Sequence, residues 1–164
     1  MSWPSSWPTQ QMQANRRRLE ELRLLVNSAT HEPEVGSELS RFLVIRASGY
    51  VEHTFETCIQ HFAEAKSHPA VANYVAAGLF RGRNPKPDVL LERTRMLSEE
   101  WAVQLEGYFD SDDSRVRREL DFLIDRRNKI AHGQSESVHR RKALDLADVA
   151  LEVGEKLTAI IDPR

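Results

Sequence analysis

From Ser37 to Ser67 the chain carries apolar side chains at Leu39, Phe42, Leu43, Ala47, Tyr50, Val51, Phe55, Cys58, Ile59 and Phe62. Steps of three and four residues fit one face of a helix and no strand. At 1.5 Å per residue such a helix is roughly 45 Å long, so it must be the spine along which the other segments pack. Gly49 lies inside it at a cost of about 1 kcal/mol relative to Ala. The simplest reason for a glycine there is a second helix crossing closely, and that is the expectation.

The other segments have the same period. A first helix is expected from Thr9, its N-cap, to Ala29, with Leu19, Leu22, Leu25, Val26 and Ala29 facing inward. His31 to Gly36 interrupts it. Pro69 opens a short third helix to Phe80. Arg81 to Pro87 reads as a loop, and a fourth helix follows from Asp88 to Phe109 with Leu90, Leu97, Trp101, Leu105 and Tyr108 as its stripe. Asp110 to Ser114 is a turn. A fifth helix, 114–132, and a sixth, 137–161, are joined through Gly133 and Gln134-Ser135. Strand signals are nearly absent and no linker divides the chain. Residues 1–164 therefore read as a single all-α domain, an antiparallel bundle of five to six helices. Ser2-Trp3-Pro4 and Ser6-Trp7-Pro8 form an N-terminal arm (1–8) whose indoles need a surface to cover.

Of the 164 residues, 40% are hydrophobic and 29% charged, a balance that suits a folded soluble domain and is too apolar for a disordered one. No apolar run approaches the length of a membrane span. The first residues have no secretory pattern, and a single cysteine, Cys58, fits a reducing compartment, so a cytoplasmic location without membrane contact is expected. The net charge of −2 divides unevenly: residues 115–142 carry +5 and the remainder −7. A positive stretch on an acidic chain can attract a polyanion, although a solvated helix face gives the same pattern.

The fifth helix departs from its own stripe. Val116, Leu120 and Leu123 are followed by Arg127 and then Ile130, so a guanidinium stands where an aliphatic side chain belongs. Such a residue must bring its charge to a partner. Two readings are open: an ion pair with an acid on a neighbouring helix, Glu52 for example, or a phosphate held by the planar donor fork. His132 follows five residues later, just before Gly133, the usual residue at the C′ position of a helix. Five residues turn a helix through about 500°, so Arg127 and His132 lie some 140° apart in projection and cannot form a tight pair within one straight helix.

Arg127-Asn128-Lys129-Ile130-Ala131-His132 resembles the R-N-x-x-x-H signature of the HEPN superfamily. Arg46-Ala47-Ser48-Gly49-Tyr50-Val51-Glu52 is similar to the Ser-Gly-Tyr-x-Glu stretch of its RiboL-PSP-like branch, with matching spacing and a closing helix, over roughly 37–160. The resemblance implies a homodimer in which the motif helices meet across a two-fold axis. It also implies a metal-independent endoribonuclease, common among toxins and antiviral effectors, with Arg127 and His132 as the catalytic pair and Asn128 arranging the site. RNA is then the substrate and a cognate antitoxin protein a further partner; no cofactor is implied. The rival reading is a non-catalytic HEPN interaction module. Arg126 also satisfies the loose spacing, but the Arg-Asn order and helical phase favour Arg127. Arg126, Lys129 and the basic residues 115–118 and 140–142 are expected to track the RNA backbone. Glu52 either orients Arg127 or His132 or is a surface acid.

Other chemistry fails on inspection. His53, His61 and His68 are too widely spaced for a zinc site and have no cysteine pair, so no metal is expected. Gly78 and Gly82 lack the Lys-Ser/Thr of a phosphate-binding loop. Cys58 lies on the apolar stripe and reads as a core residue.

Overall fold

The computed structural model describes residues 6–28, 32–78, 84–133 and 138–163. Among them are six α-helices and no strand: α1 (Gln10–Ser28), α2 (Pro33–Lys66), α3 (Pro69–Gly78), α4 (Pro87–Arg95), α5 (Glu99–Ala131) and α6 (Arg140–Ile160). The expected all-α bundle is what the chain forms. Trp3, Ala29, the end of the third helix at Phe80, the loop residues Arg81 to Arg83 and the Gln134-Ser135 connection lie outside the described residues.

Local chemistry accounts for most boundaries. The Thr9 hydroxyl accepts from the Met12 N–H at 3.3 Å and opens α1. Helix α2 begins at Pro33, earlier than Ser37, because a proline in the first turn loses no hydrogen bond and has its φ already set. Helix α5 ends at Ala131, and beyond its cap Gly133, at φ +70°, returns its N–H to the Ile130 carbonyl at 3.1 Å.

The expected fourth helix is two. Continuous apolar spacing suggests one helix from Asp88 to Phe109, yet α4 ends at Arg95 and α5 restarts after Ser98, whose hydroxyl accepts from the Trp101 N–H at 3.3 Å. Ser98-Glu99-Glu100 is a helix start in miniature, a cap followed by acids. The expected turn at Asp110–Ser114 is present as a break within α5, where Asp112, Asp113 and Ser114 take left-handed φ of 50–56°.

The core gathers on α2, α5 and α6. Phe55, Phe109, Leu43, Leu120, Leu123 and Leu157 are fully enclosed. Cys58 is buried among them, and burial pushes its thiol pKa up, which leaves it inert. Two expected core positions are instead on the surface: Leu25 is 48% exposed and Phe42 49%. Among the described residues the close crossing expected at Gly49 is absent; a Cβ there would meet none of them within 4 Å. The close crossing is at Gly154 of α6, where a Cβ would lie 2.5 Å from the Tyr50 ring and hydroxyl. Tyr50 is buried in this seam, and desolvation raises its phenol pKa. Trp7 of the arm donates from Nε1 to the Thr158 carbonyl at 2.9 Å and sets its ring edge-on to His61.

Cross-links fix the register. Tyr50 meets Gly154 and Trp7 spans His61 and Thr158, so α2 and α6 run in the same direction. Arg115 reaches Glu152 while Lys142 reaches Glu119, so α5 runs against α6. Phe62 meets Trp101 at 4.8 Å between ring centroids. The C-terminal end of α5 therefore shares one end of the bundle with the start of α2 and the start of α6.

Candidate active site at the end of the fifth helix

Arg127 and Asn128 occupy the last turn of α5 and His132 its C-cap. Arg127 is half-buried, as its place on the stripe requires, and its Nη1 donates to Asn128 Oδ1 at 3.1 Å. Among the described residues this is its only polar partner. Asn128 serves both flanking residues, because its carbonyl accepts the His132 N–H at 3.0 Å. At His132 the backbone leaves the helix, with φ −86° and ψ 11°, and Gly133 turns the chain away. The helix end leaves the imidazole exposed. A neutral amide thus orients the guanidinium without neutralising it, and an exposed imidazole follows within one and a half turns.

Glu52 is not part of this cluster. Among the described residues no hydrogen bond or ion pair joins it to Arg127 or His132. It stands two residues from Tyr50, level with the part of α6 where Glu152 binds Tyr108 and Arg115. Arg127 is twelve residues beyond Arg115, about 18 Å further along α5 at 1.5 Å per residue. Glu52 instead lies beside Glu56, whose carboxyl pKa is raised by burial and, secondarily, by the charge of Glu52. The Ser-Gly-Tyr-x-Glu block of α2 thus contributes Tyr50 to the α2–α6 seam rather than a partner for the guanidinium.

The basic window separates into two populations. Arg115 is held by Asp112 at 2.9 Å and Glu152 at 3.0 Å. Arg117 lies between Asp88 and Asp110, at 2.8 Å from each. Arg118 faces Asp113 at 3.8 Å, Arg141 faces Asp145 at 3.5 Å, and Lys142 is bonded to Glu119. Arg115, Arg117 and Lys142 are thus engaged by acids of the same chain, whereas Arg118 and Arg141 face theirs at longer range and stay largely exposed. Asp112 and Asp145 are neighbours of Arg115 and Arg141 at helical spacing, whereas Glu152 and Asp88 are remote in sequence and reach Arg115 and Arg117 only through the fold. Arg126 lies 4.6 Å from the centroid of the Phe122 ring, which Lys142 approaches at 4.8 Å. The Arg126 side chain is thereby directed to Phe122, whereas that of Arg127 is directed to Asn128. Lys129 is exposed in the same turn. Lys86, just before α4, pairs with Asp125 at 2.8 Å and ties α4 to this end of α5.

No group of histidine, cysteine and carboxylate side chains among the described residues has the arrangement of a metal site. His61 faces Glu64 at 3.5 Å, and His68 Nδ1 accepts from the Ala70 N–H at 3.3 Å. Among the described residues no helix is long and apolar enough to cross a membrane.

The family model described as RiboL-PSP-HEPN matches residues 13–162, nearly the whole chain. Neither the curated proteins nor the solved structures contain a match.

Proposed function

Because the chain belongs to the RiboL-PSP-HEPN family, which supports a nuclease or RNA-related role, we propose that it is a metal-independent endoribonuclease acting on single-stranded RNA. The observation that carries this reading is the end of α5: a half-buried guanidinium whose described partner is an amide, followed by an exposed imidazole. In a structural ion pair the arginine would face a carboxylate, as Arg115 and Arg117 do.

The chemistry follows from the groups. The RNA 2′-hydroxyl attacks the adjacent phosphorus, the bond to the 5′-oxygen breaks, and a 2′,3′-cyclic phosphate and a 5′-hydroxyl remain. One imidazole takes the 2′-proton and another protonates the departing oxygen; histidine suits both tasks near neutral pH. Arginine stays charged and donates two parallel hydrogen bonds to the non-bridging oxygens as charge builds in the phosphorane. One chain supplies one such histidine, so the complete site requires two copies with their α5 ends together. Support for a second copy comes from α2, whose N-terminal half shares this end of the bundle and leaves Val35 and Phe42 about half exposed, at 50% and 49%. Lys129 and Arg126 flank the site and guide the RNA backbone. A single strand is the fitting substrate because in-line attack needs a flexible backbone. The biological role proposed is that of a toxin or defence effector restrained by a cognate antitoxin.

The second reading, a non-catalytic interaction module, is favoured by the ion pairs that engage Arg115, Arg117 and Lys142. Incubating RNA with the wild type, Arg127→Ala and His132→Ala in the presence of chelator separates the two. Cleavage by the wild type alone, yielding cyclic phosphate ends, supports the enzyme. Loss of cleavage in chelator, or cleavage unchanged in both variants, overturns it. Sedimentation at assay concentrations adds a second check: cleavage by a strictly monomeric protein removes the composite site.

A further inference from the structure

We propose that Phe122 and Arg126 form a stacking platform for a base of the RNA strand, on the face of α5 that leads to His132. This rests on the nuclease reading for the identity of the ligand, single-stranded RNA. The apolar stripe of α5 runs through Val116, Leu120, Leu123, Arg127 and Ile130, and Phe122 is not on it. Arg118, Phe122, Arg126 and Lys129 follow one another at steps of four, four and three residues, and His132 comes three residues later, at the cap. At 3.6 residues per turn these positions fall within about 120° of arc. An aromatic ring therefore stands between cations on one face, and that face ends at the imidazole. Arg118, Lys129 and His132 on it are exposed.

Two cations converge on the Phe122 ring. The Arg126 guanidinium carbon lies 4.6 Å from its centroid and the Lys142 ammonium 4.8 Å. The contact of Arg117 with Phe109, at 5.8 Å, is closed by comparison: Phe109 is fully buried, and Asp88 and Asp110 hold Arg117 at 2.8 Å each. Phe122 packs against the core yet keeps part of its surface in solvent, and so does Arg126. A guanidinium laid on a ring adds a second flat layer, and unstacked bases bind to both aromatic faces and guanidinium planes. The cations on either side along the helix draw the phosphates. Together these are the two parts of a single-strand site, a stacking surface and a positive track. A duplex fits poorly, because its bases already cover one another. Phe122 is ten residues from His132, about 15 Å along the helix. The stacked base thus belongs to a nucleotide near the reacting phosphate rather than at it.

The full chain and a fluorescently labelled single strand of 2′-O-methyl RNA, which cannot cleave itself, provide the test, read as anisotropy at low salt. A strand of the same length built from abasic sugars keeps the phosphates and removes the bases. The wild type is expected to bind the base-bearing strand about tenfold more tightly than the abasic one, the size of one base–aromatic stack. Phe122→Leu is expected to weaken the base-bearing strand about tenfold and leave the abasic strand unchanged, which also shows that the variant is folded. Phe122→Tyr, which keeps a ring, is expected to restore the difference between the strands. Arg118→Gln is expected to weaken both strands alike and to lessen the salt dependence, as loss of a phosphate contact does. Equal affinity of the wild type for the two strands, equal loss of both in Phe122→Leu, unchanged binding of the base-bearing strand in that variant, or no binding of either strand would overturn the proposal. Because no cleavage is read, the two proposals fail separately: base-dependent binding by a protein that leaves unmodified RNA intact removes the nuclease and keeps the platform.

Discussion

The α2–α6 seam and the C-terminal end of α5 use glycine in opposite ways. In the seam, Gly154 is required for what it lacks: the Tyr50 ring occupies the volume a Cβ would take. At the end of α5, no described residue lies within 4 Å of a Cβ placed on Gly133, which is required for its backbone, turning at φ +70°. The first glycine closes a densely filled contact, and the second ends a helix so that His132 stands in solvent. The contrast teaches that stability and chemistry are assigned to different parts of the bundle. The seam is apolar and enclosed; the α5 end is polar, half-open and bound together mainly through Asn128.

The comparison can be broken most directly at the α5 end. Arg127→Ala and His132→Ala are each expected to lower the RNA cleavage rate by about 10²–10⁴-fold, the range for losing a positioned acid–base or charge-stabilising group. The melting temperature should barely move, because neither side chain fills the core. A large loss of stability in either variant would mean that this region is structural after all. Gly154→Ala tests the seam. Forcing a methyl against the Tyr50 ring should cost about 1–3 kcal/mol in chemical denaturation, as overpacking does. Cleavage per folded molecule should remain at the wild-type level.

Two smaller effects sharpen the contrast. Gly133→Ala places a Cβ on a left-handed residue and should cost about 1 kcal/mol through backbone strain. It should also lower cleavage modestly, because His132 is the adjacent residue. Gly49→Ala serves as the control of opposite sign. It lies one residue from Tyr50, in a helical conformation with no described residue within 4 Å of the added carbon. It should therefore stabilise the protein by about 0.5–1 kcal/mol. Destabilisation by Gly49→Ala that deepens as protein concentration rises would mean that a second copy packs against this face.

Much of this division is legible in the chain. The steps of three and four along α2, the Thr9 cap, Cys58 as a core thiol, and Gly133 as the end of α5 all follow from local rules that need no neighbour. Arg127 announces itself by interrupting an aliphatic stripe, and the structure leaves it half-buried as that position requires. The end of α4 was also signalled, since Ser98-Glu99-Glu100 is a helix start, but the unbroken apolar spacing from Leu90 to Leu105 spoke for one helix. Periodicity reports which face is apolar and is silent on a short break that preserves the phase.

The sequence by itself determined the secondary structure, the family and the arginine–histidine spacing, because each depends on residues a few positions apart. Tertiary structure alone decided which glycine faces an aromatic ring, that Arg115 and Arg117 meet Glu152 and Asp88, and where Glu52 stands. Those facts depend on pairs such as Tyr50 with Gly154 and Arg115 with Glu152. Their separation along the chain is unrelated to their distance in space until the helices have chosen a register, and only then is it fixed which charges are neutralised and which remain available for chemistry.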